Sequence, residues 1–312
     1  NNLGHTPLLS AVERSNRDIA KLLIEKGADL NVEDKKLGYT PLSWAIYRNN
    51  TDIAMLLIDK GGNPNVKDDN LGYTPLLWAV EQNITDITML LIEKRVDLNV
   101  YDDMYGYTPP PLRWSVERNN RDIAKLLIEK GANLNEKDEQ YERSALLWAI
   151  SFKETDMAKL LIERGADVNV SDKNGMSALM WAAFQNEFGT AKLLIVKGAD
   201  VNVKNIMWGI NPLFWAVNNN KIDIAMLLIE KGADLNVKDE QYGRSALLNA
   251  LSLKETDMAK LLIESGADVN LRDINGSSAL MWAAFNNETG TAKLLIEKGA
   301  ELNVRDKKWD YT

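Results

Sequence analysis

The chain repeats a segment of about 34 residues along its whole length, and this period constrains its fold more than any other feature. The segment from Leu37 to Asn70 is one copy, and the residues from Leu71 begin the next copy. One position of the repeat is occupied in turn by Thr6, Thr40, Thr74, Thr108, Ser144, Ser177, Asn211, Ser245 and Ser278, and a tenth copy begins at Thr312. Successive positions are separated by 34, 34, 34, 36, 33, 34, 34, 33 and 34 residues. Such a period indicates an array of similar supersecondary units that bury their apolar faces against each other.

Each repeat is predicted to form two short helices joined by a tight turn. In the second repeat, the Thr40 hydroxyl can cap free amide groups, and Pro41 suits the first position of a helix. Apolar residues follow at helical spacing until the asparagine pair at 49–50 ends the helix. Gly61 can provide the left-handed residue that ends the second helix. The buried face of this second helix is predicted to contain Ile53, Leu56 and Leu57.

The Thr-Pro-Leu motif at 40–42 and 74–76, recurring with this period, resembles the ankyrin-repeat family over essentially the whole chain. The resemblance implies an all-α ankyrin-repeat solenoid, in which about nine helix-turn-helix units stack and carry extended finger loops. It also implies a scaffold for protein–protein interaction, which binds another protein or peptide through a concave groove and the finger loops. We expect a single continuous domain over residues 1–312 that is a segment of a longer array.

A larger period is also visible. The segment that begins at Asp138 recurs in nearly identical form 101 residues later, from Asp239. This recurrence indicates that a block of three repeats was duplicated within the chain.

Composition and charge exclude several classes of function. The formal net charge of −8 and the pI near 5.0 disfavour binding to the phosphate backbone of a nucleic acid. The absence of cysteine removes disulfides and cysteine metal sites, and it favours a cytoplasmic, intracellular protein. No apolar run reaches the length of a transmembrane helix and no signal peptide is visible, so we expect no membrane insertion by this segment.

No arrangement of residues typical of an active site is visible in the sequence. The single histidine, His5, stands where later repeats carry tyrosine, and no cluster of catalytic partners accompanies it. An aspartate near the start of eight fingers suggests either a row of metal sites or, more simply, turn capping. These aspartates are Asp34, Asp68, Asp102, Asp138, Asp172, Asp239, Asp273 and Asp306. We therefore predict a protein that is not an enzyme and that has no cofactor and no metal.

A tryptophan occupies one position of the first helix in seven repeats. These residues are Trp44, Trp78, Trp114, Trp148, Trp181, Trp215 and Trp282. One interpretation is a row of indoles on the floor of the groove, with Trp181, Trp215 and Trp282 among the residues that bind a partner. The interpretation that we favour is an indole packed half-buried between neighbouring helices, and the two agree if only one face of the ring is buried.

The two positions at the end of each first helix vary between repeats, and we call them the helix-end ridge. They are Glu13-Arg14, Tyr47-Arg48, Glu81-Gln82, Glu117-Arg118, Ser151-Phe152, Phe184-Gln185, Asn218-Asn219, Ser252-Leu253 and Phe285-Asn286. Solvated residues are expected there, so the large apolar residues of the later repeats indicate a contact surface. The predicted partner-binding residues of the ridge are Tyr47, Arg48, Phe152, Phe184, Leu253 and Phe285.

Seven fingers hold one extra residue, which is always large and apolar. These residues are Leu37, Leu71, Tyr105, Tyr141, Trp208, Tyr242 and Trp309. They either pack against the adjacent finger or form an interaction edge, and the sequence favours neither interpretation. The second interpretation adds Tyr105, Tyr141, Trp208 and Tyr242 to the candidate binding residues.

Repeats three and four depart from the common pattern. Arg95-Val96 replaces the usual Gly-Ala after a second helix, so the left-handed glycine is lost. The prolines 109–111 make the fourth repeat two residues longer and must shift or bulge the start of its first helix. We predict an irregular connection between these two repeats.

The sequence is also compatible with three other functions. The array could be the non-catalytic part of a larger enzyme or channel, which it would help to position. It could be an engineered, consensus-like repeat scaffold, although the irregular residues 95–96 and 109–111 argue against full idealisation. A small-molecule site in the aromatic groove is the weakest of the three, because a shallow open groove buries a small ligand poorly.

Overall fold

The computed structural model describes residues 5–100 and 109–306, and these residues fold into helix-turn-helix pairs. The first helices of the pairs are α1 (Pro7–Glu13), α3 (Pro41–Tyr47), α5 (Pro75–Glu81), α7 (Pro111–Glu117), α9 (Ala145–Ser151), α11 (Ala178–Gln185), α13 (Pro212–Asn218), α15 (Ala246–Ser252) and α17 (Ala279–Phe285). The second helices are α2 (Arg17–Glu25), α4 (Thr51–Asp59), α6 (Thr85–Glu93), α8 (Arg121–Glu129), α10 (Thr155–Glu163), α12 (Phe188–Val196), α14 (Ile222–Glu230), α16 (Thr256–Glu264) and α18 (Thr289–Glu297). The predicted all-α fold with about nine repeats is confirmed. Within the described residues, no helix is long and apolar enough to span a membrane.

The helices divide between two compact units. The first comprises Asn1–Ala149 with Arg164–Ala166, and the second comprises Ile150–Glu163 with Asp167–Thr312. In the first unit α3 packs between α1 and α5, and in the second unit α13 packs between α11 and α15. Second helices pack in the same order, so that α14 lies between α12 and α16. That one continuous domain spans residues 1–312 stays a prediction.

The first helices begin with the predicted capping chemistry. Thr40 has an extended backbone, its hydroxyl accepts a hydrogen bond from the Ser43 N–H at 3.2 Å, and Pro41 takes the first helical position. Side-chain oxygens of the residue before the helix make the same bond at Thr6, Thr74, Ser177, Asn211, Ser245 and Ser278. Each bond satisfies an amide that the helix itself leaves free, which matters in helices of only about two turns.

The buried face of a second helix is slightly rotated from the predicted one. In α4, Ile53 and Leu57 are fully buried and Ile58 is nearly so. Leu56, which we predicted to share this face, is only half-buried. At about 100° per residue, Ile53, Leu57 and Ile58 cluster on one side of the helix, and Leu56 lies at its edge.

The loss of glycine at Arg95, before repeat four, changes the local turn less than the sequence suggested. Arg95 keeps the left-handed backbone after α6, with φ of +59°, where the second repeat uses Gly61 at +94°. Arg95 therefore adopts the left-handed conformation, and the turn is kept. This conformation costs roughly 1–2 kcal/mol in a residue that has a Cβ. α7 begins at Pro111, and Pro110 at its N-cap makes no side-chain hydrogen bond. The predicted shift of this helix start is confirmed, while residues 101–108 lie outside the described residues.

A set of asparagine side chains joins consecutive repeats, and the sequence did not reveal it. The Asn202 side-chain oxygen accepts a hydrogen bond from the Asp234 N–H at 2.7 Å, and its amide donates to the Gly232 carbonyl at 3.1 Å. The same acceptor role recurs at Asn31, Asn99, Asn169, Asn236 and Asn270. We call these residues the inter-repeat asparagines, because each fixes the start of the next finger.

Candidate partner-binding surface

A buried aspartate organises each finger and the tryptophan next to it. In the finger before α3, Oδ1 of Asp34 accepts hydrogen bonds from the N–H groups of Lys36 and Leu37 at 3.0 and 2.8 Å. Its Oδ2 accepts hydrogen bonds from the Tyr39 N–H at 3.2 Å and from the indole N–H of Trp44 at 3.0 Å. The carboxylate therefore caps the turn, as predicted, and also orients the indole. Among the described residues, no group of three or more side chains that could hold a metal ion is found.

The aspartate–indole bond recurs along the chain. It joins Asp68 to Trp78 at 3.0 Å, Asp138 to Trp148 at 3.0 Å and Asp172 to Trp181 at 3.2 Å. Burial raises the pKa of the Asp68 carboxyl, while hydrogen bonds from Leu71 and Trp78 act in the opposite direction. The lone histidine also makes a structural contact, since Nδ1 of His5 lies 3.3 Å from Glu13 Oε2. These groups hold the fold rather than face a substrate.

The tryptophans differ between the two compact units. In the first unit, Trp44, Trp78, Trp114 and Trp148 are at most 7% exposed. In the second unit, Trp181, Trp215 and Trp282 are half-buried. The interpretation as packing residues therefore describes the indoles of the first unit, which leave no face for a partner. The indoles of the second unit retain part of their surface.

In the part of the chain that the structure describes, two indoles, those of Trp215 and Trp282, lack the bond to an aspartate. The repeat of Trp282 keeps Asp273, whereas the repeat of Trp215 has an asparagine in place of the aspartate. Asn205 is 2% exposed, and its side-chain oxygen accepts a hydrogen bond from the Ile210 N–H at 3.1 Å. The Asn205 amide nitrogen and the Trp215 indole nitrogen are both buried without a hydrogen-bond partner. The sequence shows the asparagine. Its effect on the Trp215 indole becomes clear only from the bonds that aspartates make to indoles in other repeats.

The first unit contains an aromatic cluster behind its part of the helix-end ridge. Tyr39 lies edge-on to Trp44 and Trp78, with ring centroids 5.0 and 5.7 Å apart. Tyr47 contacts the same two indoles at 5.7 and 5.1 Å and is 43% exposed. The Arg48 guanidinium lies 5.4 Å from the Trp44 ring and 5.7 Å from the Tyr47 ring. Tyr47 and Arg48 thus form an exposed pair that is fixed by buried rings.

Burial also changes the ionisation of this cluster. Tyr39 is 3% exposed, and desolvation by burial, with a smaller contribution from the Asp68 charge, raises the pKa of its hydroxyl to about 12. The hydroxyl therefore stays neutral at physiological pH and acts as a packing group.

In the second unit, the helix-end ridge presents large apolar side chains to solvent. The exposed fractions are 48% for Phe152, 42% for Phe184, 46% for Leu253 and 81% for Phe285. Phe184 lies edge-on between Trp181 and Trp215, at centroid distances of 5.9 and 5.8 Å. Phe285 lies 6.1 Å from Trp282 in the same manner. The half-buried indoles therefore support the phenylalanines from behind.

The large finger residues occupy two kinds of environment. Tyr141 and Trp208 are half-buried, and their rings lie 5.8 Å from Trp148 and 5.6 Å from Trp215. Tyr242 is 45% exposed, although the Arg244 guanidinium lies 5.0 Å from its ring. Tyr105 and Trp309 lie outside the described residues.

The backbones of these fingers are also joined. The carbonyls of Leu37, Trp208 and Tyr242 accept hydrogen bonds from the N–H groups of Asp69, Glu240 and Ile274 in the next finger, at 2.9, 3.0 and 3.0 Å. The backbone at these positions therefore joins adjacent fingers by hydrogen bonds, as the packing interpretation requires. The exposed Tyr242 side chain remains a candidate contact for a partner.

Repeat four buries an arginine, Arg113, which nothing in the sequence pattern marks as a core residue. Arg113 of α7 is 7% exposed, and its guanidinium lies 3.1 Å from Glu117 and 3.8 Å from Asp138. The Arg113 and Arg143 guanidiniums lie 4.7 and 4.9 Å from the same Trp148 ring. Burial lowers the pKa of Arg113, while the Glu117 and Asp138 charges act in the opposite direction. The arginine side chain fills core space and carries its own counter-charges.

A family model described as "Ankyrin repeats (3 copies)" matches the chain in overlapping segments. The matched residues are 1–68, 61–138, 112–205, 190–273 and 213–306. Together these segments extend over residues 1–306. No curated protein matches the chain.

Proposed function

The chain belongs to the ankyrin-repeat family, whose repeats are generally protein–protein interaction modules, and we propose that it binds a partner protein or peptide through the helix-end ridge and the fingers. The observation that carries this proposal is the set of exposed apolar side chains on the ridge of the second compact unit. Phe285 is 81% exposed and Phe184 is 42% exposed, at positions where solvated residues are expected. The chain acts as a binding scaffold, without catalysis or a cofactor of its own.

The supported aromatic rings are suited to carry the binding energy. A phenylalanine has few rotatable bonds, and Phe184 is already held between Trp181 and Trp215 at 5.9 and 5.8 Å, so little freedom is lost on binding. Aromatic residues buried near the centre of an interface often contribute about 2 kcal/mol or more each by truncation, roughly thirtyfold in affinity.

The ridge of the first unit should contribute in a different way. Arg118 is exposed and lies 3.9 Å from the partly buried Glu81, and rim charges such as Arg118 affect association rate and salt dependence more than affinity. The Tyr47–Arg48 pair is the exception, because its aromatic ring rests on two buried indoles. The net charge of −8 argues against nucleic acid as the partner.

The test compares two double variants of the full chain. The partner is first captured by the wild-type chain from an extract of its own cells, identified by mass spectrometry, and its affinity is measured by calorimetry. Phe152→Ala with Phe184→Ala is expected to weaken binding more than tenfold. Arg14→Ala with Arg118→Ala is the matched control and is expected to act mainly at low salt. Circular dichroism verifies that both variants keep their helices. Loss of binding in the arginine variant, with wild-type affinity in the phenylalanine variant, contradicts the proposal.

A further inference from the structure

The second helices of the second compact unit expose three large apolar side chains. Phe188 begins α12 and is 44% exposed, Val196 ends the same helix and is 71% exposed, and Met226 in α14 is 53% exposed. All second helices have nine residues, so their positions can be compared directly across the repeats. The other copies of the repeat therefore show what the array itself requires at these positions.

Two of the three side chains replace charged residues. The last residue of the second helix is acidic in every repeat except the one that carries Val196: Glu25, Asp59, Glu93, Glu129, Glu163, Glu230, Glu264 and Glu297. The position of Met226 is a lysine in every other second helix of the same compact unit: Lys159, Lys192, Lys260 and Lys293. Because stacking of repeats is compatible with a charge at both positions, packing does not explain the change to apolar residues.

Phe188 and Met226 line a cleft, whereas Val196 is not part of its lining. An open cleft of about 550 Å³ is lined by Phe188 and by residues of α14 and α16. Leu227, which is 9% exposed, and Leu261, which is half-buried, give it an apolar lining, and Met226 stands beside them. The volume suits one or two large side chains, and the opening to solvent suits a segment of another polypeptide.

The charged residues that line the cleft are both acidic. They are Asp223 near the start of α14 and Glu230 at its end, and Lys231 lies 2.9 Å from Glu230 as its neighbour in sequence. A second copy of this chain would bring a further net charge of −8 to this site, which disfavours self-association. A cationic segment would instead be attracted by the chain's net charge of −8 and would meet Asp223 at one end of the cleft. At the other end it would meet Glu230, whose charge Lys231 and Lys192 partly offset.

We propose that this cleft is a second docking site, which takes a segment of a partner protein with one or two large apolar side chains flanked by lysine or arginine. The apolar side chains lie against Leu227 and Met226, and the flanking cations lie next to Asp223 and Glu230. The site is distinct from the helix-end ridge, because it is formed by second helices whereas the ridge follows first helices. It therefore permits a second partner to be held at the same time as the first.

The direct test uses the full chain with ¹³C-labelled methionine methyl groups. The probe is a short synthetic peptide with leucines at helical spacing and lysines at its other positions, and the matched peptide has glutamate in place of lysine. The lysine peptide is expected to shift the Met226 methyl signal. Met89 is the internal control, because it occupies the same helix position in the first compact unit and is 45% exposed. The glutamate peptide should leave both signals unchanged.

A variant then tests the cleft without disturbing the fold or the net charge. Met226→Lys restores the lysine of the other second helices in the second compact unit, and Val196→Glu, outside the cleft lining, restores the acidic helix end and keeps the net charge unchanged. It is expected to weaken binding of the labelled lysine peptide about tenfold, measured by fluorescence anisotropy. Met89→Lys is the matched control and should bind as the wild type does. Unchanged affinity in the double variant, equal shifts of Met226 and Met89, or equal binding of both peptides overturns the proposal. A Met226 signal that moves with protein concentration alone also overturns it, because the occupant would then be a second copy.

Discussion

Replacing Asn205 by aspartate is expected to stabilise the protein, because it supplies an acceptor to the buried Trp215 indole and removes the unpaired Asn205 amide. The Asn205 oxygen already accepts a hydrogen bond from the Ile210 N–H at 3.1 Å. Exchanging its oxygen and nitrogen by rotation would serve the Trp215 indole but would turn an NH₂ donor towards Ile210. A carboxylate has two acceptor oxygens and can serve both, as Asp34 does in the second repeat.

The size of the effect follows from opposing contributions. A buried polar group without a partner costs about 1–3 kcal/mol, and a hydrogen bond to a charged group contributes about 1.5–3 kcal/mol. Burial of the new carboxylate opposes this gain, as the raised pKa of Asp68 at the same position of its repeat indicates. We expect a net stabilisation of about 1 kcal/mol at neutral pH, roughly fivefold in the folding equilibrium.

The assay should report the region around Asn205, because repeat arrays often do not unfold in a single two-state step. Hydrogen exchange of the Ile210 amide and the Trp215 indole N–H measures local stability, and both should become about fivefold slower if they exchange through the same opening. Urea unfolding should show a higher midpoint with an unchanged slope.

Two further variants test whether the unpaired Trp215 indole is the source of the expected gain in stability. Asp172→Asn removes the acceptor of the Trp181 indole and should destabilise the protein by about 1–3 kcal/mol. In a Trp215→Phe background, the gain from Asn205→Asp should shrink, because the indole donor is gone. A gain that is fully retained in that background, or a loss of stability on Asn205→Asp, would show that the unpaired indole is not the cause.

Three other predictions concern two buried groups, Tyr39 and Arg113, and one exposed inter-repeat asparagine, Asn202. Burial raises the pKa of Tyr39 to about 12 from the ordinary 10.0, so its contribution to stability is complete below pH 10 and is lost as the pH rises through 12. Absorbance titration of the wild type should show this step, and Tyr39→Phe should lack it. Glu117→Ala should cost about 2 kcal/mol, because it leaves the buried Arg113 with only the more distant Asp138 carboxylate. Arg113→Leu removes the buried charge itself and should lower the urea midpoint less than Glu117→Ala does. Asn202→Ala should cost about 1 kcal/mol and speed amide exchange at Asp234, while an unchanged exchange rate would contradict the role of that bond.

The helices could be predicted because their limits depend on local chemistry. Thr40, Pro41 and Gly61 act on amides, carbonyls and backbone angles within a few residues of themselves. The turn-capping role of Asp34 was predictable for the same reason. Its bond to the Trp44 indole was not, because the two residues meet only after both the turn and the following helix have formed.

Features that depend on neighbouring repeats could not be predicted from the sequence. The inter-repeat asparagines bond to residues in the next repeat, and nothing local distinguishes Asn202 from other finger asparagines. Arg95 keeps the turn that glycine makes elsewhere, although its residue type suggested an altered turn. The exposure of Phe184 and Phe285 followed from their helix positions, but their role in binding remains a prediction because no sequence contains its partner.

The inter-repeat asparagines also affect how such a chain can change its length. Asn169 accepts a hydrogen bond from the Asp200 N–H, and Asn202 accepts the equivalent bond from the Asp234 N–H. The two donors, Asp200 and Asp234, are 34 residues apart. Deleting one whole repeat would therefore bring Asn169 opposite the N–H that Asn202 now bonds, and inserting a repeat would add one donor together with one acceptor. Recombination in steps of whole repeats therefore keeps each of these donors paired with an acceptor, so its products can fold without compensating mutations at these positions. Such tolerance favours the internal duplication that the segments beginning at Asp138 and Asp239 record, and it lets selection alter the binding surface independently of the framework that carries it.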